Sequence, residues 1–103
     1  MRTPSGITIP EKGLTDVCRR YHVRELALFG SVLRDDFGPD SDIDGLVEFE
    51  PDAVVGLIRF GGLKEELESL FGREVDLIPT QSMKPHVRST VLASAETVYA
   101  SAA

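Results

Sequence analysis

The sequence predicts one small α/β domain, a mixed sheet packed with helices, on three observations. Apolar residues switch between the three-to-four-residue step of a helix and the short continuous runs of buried strands. These segments alternate as helix, strand, helix, strand, helix, strand, helix, the order expected of a mixed α/β fold. A length of 103 residues at 42% hydrophobic content fits one compact domain with little room for a second.

Residues 1–10 are polar, carry two prolines and read as a loose N-terminal arm before a single domain over 11–103. From Glu11, Leu14, Val17, Cys18 and Tyr21 recur at helical spacing, so a helix ends near His22. Leu26–Phe29 is an apolar run closed by Gly30 and reads as a buried strand. Ser31 is placed to N-cap a short helix reaching about Asp36. FGPDS is a loop. Residues 42–49 read as a second strand, with Asp42, Asp44 and Leu46 on one side and Ile43, Val47 and Phe49 on the other. A helix then runs from after Pro51 to about Phe71. Val55, Leu57, Ile58, Leu63, Leu67, Leu70 and Phe71 supply its apolar side, and Gly61 and Gly62 interrupt it. EVDLIP is the third strand, Pro85 opens a last helix through about Ala93, and ETVYA is a short extended piece.

The net charge of −6 disfavours nucleic acid and anionic membranes as partners and suits divalent cations or a basic protein. Cys18 is the single cysteine, so no internal disulfide forms, and its place in an apolar helical pattern makes it a buried thiol. MRTPSGITIP lacks the apolar stretch of a signal peptide, and no segment is apolar for long enough to span a bilayer. A cytoplasmic location is the expectation.

Chemistry concentrates in three places. Asp42 and Asp44, two apart on a strand, point the same way and repel unless a cation lies between them. A hard divalent ion such as Mg²⁺ answers that need; solvated acids at a strand edge are the other reading. Asp76 interrupts an apolar strand, where an unpaired buried charge is costly. It either completes a three-carboxylate cluster, if the third strand lies beside the second, or faces solvent. Gly30-Ser31 closes a strand and opens a helix, where glycine lets a phosphate approach the backbone, the helix N-terminus offers free N–H groups and the Ser31 hydroxyl can donate. Together they are the parts of phosphoryl and nucleotidyl transfer, in which metal neutralises phosphate charge and orients in-line attack. Asp76 is then placed to act as base on the attacking hydroxyl.

GSVLRDDFGPDSDIDGLVEF resembles the signature of the minimal nucleotidyltransferases of the DNA polymerase beta superfamily. Gly30, Ser31, Arg34, Ser41, Asp42, Asp44 and Asp76 match the pattern, and the similarity runs from about Leu14 to Val98, including KPHVR. The resemblance implies the polymerase-beta-like fold, ATP as substrate and one or two Mg²⁺ ions on Asp42, Asp44 and Asp76. It implies nucleotide contacts from Gly30, Ser31, Arg34 and Ser41. Small stand-alone members are similar to MntA-like antitoxins, which silence a HEPN-domain ribonuclease toxin by attaching AMP to a toxin tyrosine. A hetero-oligomer with such a toxin is the implied assembly.

Some positions carry two readings. Gly45 stands where the family usually has Leu or Val, which puts local sheet stability in doubt. Arg34 can reach a triphosphate or pair with Asp35 or Asp40, and Ser41 can simply close the loop. Tyr21 and Tyr99 read as packing residues or as acceptors of AMP in cis, His22 as a helix end, and Lys84, His86 and Arg88 as a solvated helix face or a basic rim. Glu48, Glu50 and Asp52 form an acidic run able to dock a basic partner. Two other functions compete: an antitoxin that neutralises by binding alone, and nucleotidyl transfer to a small molecule, for which this length leaves no substrate domain.

Overall fold

The computed structural model describes residues 2–3, 5–34 and 37–101. Three helices and four strands follow in the order α1 (Glu11–Arg20), β1 (Val23–Phe29), β2 (Ile43–Phe49), α2 (Leu57–Phe71), β3 (Val75–Pro79), α3 (Pro85–Ser94) and β4 (Glu96–Ala100). Single 3₁₀ turns occupy Gly30–Leu33 and Thr80–Ser82. The sheet order is β3-β2-β1-β4, so the ETVYA segment becomes an edge strand. β1 is antiparallel to both β2 and β4, whereas β2 and β3 run parallel across α2.

Register sorts the residues of the sheet into two faces. Leu26 lies opposite Val47 and Leu28 opposite Gly45, while Ile43 and Gly45 lie opposite Val75 and Leu77. This face is buried against Leu14, Val17 and Cys18 of α1 and Leu63, Leu67 and Phe71 of α2. The other face carries Ala27 opposite Leu46, Phe29 opposite Asp44, and Asp44 opposite Asp76. Gly45 costs the sheet less than its sequence suggests. A Cβ there would lie 3.3 Å from Leu77 and 3.7 Å from Leu26, whose side chains fill the room that glycine leaves.

The N-terminal arm is not loose. Ile9 is only 1% exposed and Thr3 is also buried. Arg2 bridges to Thr8, the Thr3 hydroxyl accepts the Ile7 N–H at 3.0 Å, and the Ser5 hydroxyl donates to the Val32 carbonyl at 2.6 Å. Two isoleucines among polar residues suffice to anchor the segment because each fills a place in the core or against it.

α2 also departs from expectation. It starts at Leu57 and runs unbroken through Gly61 and Gly62. Val54, Leu57 and Ile58 are 91%, 84% and 92% exposed. At about 100° per residue, Ile58 lies roughly 180° around the helix from the centre of the inward stripe of Leu63, Leu67 and Phe71, and Leu57, the first residue of the helix, lies roughly 80° from it. Gly62 is explained by α1, since a Cβ there would meet the Tyr21 hydroxyl at 2.9 Å. That hydroxyl donates to Glu66 at 2.6 Å, and Arg20 grips the same carboxylate with both terminal nitrogens. The pair of helices is thus tied at their surface as well as through the core.

α1 turns into β1 through His22, which adopts a left-handed φ of 58° at the helix end. Pro85 opens α3 as expected, and Arg88 ties that helix to the preceding turn by donating to the Thr80 and Met83 carbonyls. No residue of α3 is buried. Among the described residues, no helix is long and apolar enough to cross a membrane.

Candidate active site

The site lies on the second face of the sheet, at the end where β1 finishes and β2 begins. Phe29 pairs with Asp44, so the turn that follows β1 starts beside the Asp44 carboxylate. Gly30 takes φ 76°, a conformation that side chains with a Cβ disfavour. A Cβ at Gly30 would also collide with the Asp44 carboxylate. Glycine is therefore required here for the turn and for the acid next to it.

Ser31 does not cap a helix. The cap position is Phe29, no side chain caps the turn, and the 3₁₀ segment ends at Leu33, with Arg34 extended. Four residues make too short a helix to gather a strong dipole. The expected end near Asp36 falls outside the described residues, as does Asp35, one of the expected partners of Arg34. Ser31 remains half-buried directly after Gly30 and accepts the Arg34 N–H on its carbonyl at 2.9 Å.

Asp44 and Asp76 stand opposite each other across the parallel pair β2–β3. The Asp44 carboxyl is pushed above the ordinary carboxylate value, first by burial, then by the charges of Asp76 and Asp42, with Arg34 pulling it back. Asp42 immediately precedes β2 and is exposed; Asp76 is exposed as well. Asp76 faces solvent, and the strand adjacency on which a carboxylate cluster depended places it opposite Asp44. Among the described residues, no group of three or more His, Cys, Asp or Glu side chains is gathered tightly enough to hold a metal ion as it stands. Like charges keep such acids apart. The donor set still fits a hard divalent cation, because it offers only carboxylate oxygens and the cation relieves the charge conflict at Asp44.

Ser41 closes the loop before the acids. Its hydroxyl oxygen accepts the Gly38 N–H at 3.0 Å, and its N–H donates to the Gly38 carbonyl at 3.1 Å.

Arg73 was not legible as a site residue in the sequence. It follows the helix end at Gly72 and reaches back to this loop, donating to the Ser41 carbonyl at 2.7 Å and also to that of Gly38. The only sequence signal is Gly-Arg after a helix, which ordinary surface arginines share. Cys18 is fully buried, and burial pushes its thiol up to about 12, which makes it an inert core residue.

Comparison with known proteins identifies the family and the fold. The nucleotidyltransferase domain model matches residues 10–98. The protein adenylyltransferase MntA of Thermococcus cleftensis is 44% identical over 73 residues, covering 71% of this chain and 72% of that protein. A solved candidate minimal nucleotidyltransferase superposes with a TM-score of 0.70 at 34% identity, covering 82% of this chain and 85% of that one. A chain from the complex of tri-AMPylated Shewanella oneidensis HEPN toxin with MNT antitoxin superposes with a TM-score of 0.62. At 22% identity, covering 88% of this chain and 70% of that one, it shows the fold alone. With a glycine turn, a facing pair of aspartates and a matching family model over most of its length, the chain belongs to the nucleotidyltransferase domain family and is a nucleotidyltransferase.

Proposed function

We propose that this protein transfers AMP from ATP to a tyrosine of a HEPN-domain toxin and thereby acts as its antitoxin. The observation that carries the chemistry is the Asp44–Asp76 pair set against the Gly30 turn. Support for the acceptor comes from relatives: one is named a protein adenylyltransferase, and another structure pairs an MNT antitoxin with an AMPylated HEPN toxin.

In this reading the Gly30–Ser31 turn, Arg34 and the Ser41 hydroxyl receive the triphosphate. Arg34 offers positive charge beside Asp44. Asp42, Asp44 and Asp76 would hold one or two Mg²⁺ ions, which would supply neutralisation of the phosphate charge. The acceptor oxygen attacks the α-phosphorus, the bond to the bridging oxygen breaks, and pyrophosphate leaves. Asp76, exposed at the sheet surface, takes the proton of the attacking hydroxyl. The acidic balance of the chain suits docking to a basic partner, and a cytoplasmic location is consistent with the ATP substrate.

Labelled ATP tests this reading. Label from the α-phosphate should remain on the HEPN protein after denaturation, and label from the γ-phosphate should not. Retained γ-label would make the protein a kinase, and loss of both labels would leave a binding antitoxin.

A further inference from the structure

We propose that Arg73 is a positioning residue for the acidic site, setting through the backbone where Asp42 stands relative to Asp44 and Asp76. The inference rests on the metal-site reading above and deepens it.

Asp42 is exposed and lies just outside β2, so neither burial nor the ladder fixes its side chain. Its two neighbours are held instead. The Ser41 carbonyl accepts from Arg73 at 2.7 Å, and the Ile43 N–H donates to the Glu74 carbonyl at 2.9 Å. Consecutive residues of the α2–β3 connection therefore grip the chain on both sides of Asp42. Three residues after Arg73 comes Asp76, so one short segment locates both outer acids of the site.

The grip is built from a rigid arm. Gly72 ends α2 at φ 70°, with its N–H on the Glu68 carbonyl at 2.8 Å. Glu68, itself paired with Lys64 at 2.8 Å, accepts the Val75 N–H at 3.0 Å and pins the start of β3. Between these anchors the Arg73 guanidinium lies 4.3 Å over the Phe37 ring and donates to two carbonyls of the same turn. One terminal nitrogen donates to both carbonyls while the planar guanidinium lies on the Phe37 ring, and that stacked plane is what lysine lacks.

The test uses the full chain with Mn²⁺ as the probe, free ion being counted by electron paramagnetic resonance, and AMP transfer measured in parallel. Arg73→Met and Arg73→Lys should each weaken Mn²⁺ binding by about 10- to 100-fold, the usual effect of removing an outer support of metal ligands. Glu66→Gln, which cuts a surface tether elsewhere on α2, should leave Mn²⁺ affinity unchanged and so separates positioning from general loosening. If Arg73→Met fails to fold, Arg73→Lys, which keeps the stem and the charge, decides. Wild-type Mn²⁺ affinity in either folded variant overturns the proposal, as does a wild-type protein that binds no Mn²⁺. A wild-type protein that binds Mn²⁺ but transfers no AMP overturns only the functional reading, and the Arg73 comparison is still decided by affinity.

Discussion

Asp44 and Asp76 occupy the same register position on the parallel strands β2 and β3, so two carboxylates share one patch of the sheet. This placement is unfavourable for the bare protein, because the folded state holds the Asp44 carboxyl above its ordinary value. A raised carboxyl means that the ionised form opposes folding at neutral pH and that the opposition fades as pH falls through the raised value. Asp44→Asn should therefore fold at least as stably as the parent in metal-free urea titrations. The same substitution, and Asp42→Asn and Asp76→Asn, should each lower AMP transfer by on the order of a thousandfold, the equivalent of about 4 kcal/mol. A folded variant within tenfold of the parent would remove that residue from the chemistry.

Gly30 is constrained twice, by its φ of 76° and by the Asp44 carboxylate. Gly30→Ala should cost about 1–2 kcal/mol from backbone strain alone. Displacement of Asp44 should take activity down much further than stability. Thermal melting beside a transfer assay reads both, and activity falling only in step with the folded fraction would contradict the close fit.

The adjacent glycines of α2 should respond in opposite ways. Nothing lies within 4 Å of a Cβ built at Gly61, so Gly61→Ala should stabilise the protein by about 0.5–1 kcal/mol through helix propensity. At Gly62 the new methyl meets the Tyr21 hydroxyl, and the Tyr21–Glu66 hydrogen bond must give way. Gly62→Ala should gain less or lose stability, as paired urea midpoints would show. Equal gains at both positions would mean that Tyr21 swings aside freely.

Glu66 links α1 to α2, and its carboxyl is held below 4.5, first by the Arg20 hydrogen bond and then by that of Tyr21. A lowered carboxyl contributes stability that is complete above the ordinary value and is lost as pH falls through the lowered one. Glu66→Gln should flatten the acid limb of the stability profile in that window. Tyr21 is raised above 10.0, chiefly by its bond to Glu66, so its contribution is present below that value and is lost as pH climbs through the raised one. An unchanged acid limb in Glu66→Gln would show that the tie carries no stability.

The parts of this molecule that were legible in the sequence are those governed by local pattern. Leu14, Val17 and Cys18 announce α1, the run ending at Phe29 announces β1, and Pro85 marks the start of α3. The Asp44–Asp76 meeting was legible only as a condition, since strand adjacency is a long-range fact. What stayed hidden depends on phase or distance. Leu57 and Ile58 are apolar yet lie off the inward stripe. Ser5 reaches Val32 across 27 positions, which no local rule anticipates. Arg73 resembles any solvated arginine until the fold brings the Ser41 carbonyl to it.

Mass spectrometry of a candidate HEPN-domain partner tests the proposed AMP transfer to tyrosine most directly. After incubation with this protein, ATP and Mg²⁺, the partner should gain mass in steps of one AMP, mapped to tyrosine by fragmentation. Asp42→Asn should give no gain. A partner that keeps its mass while its ribonuclease activity is blocked would contradict the account and leave a protein that silences by binding.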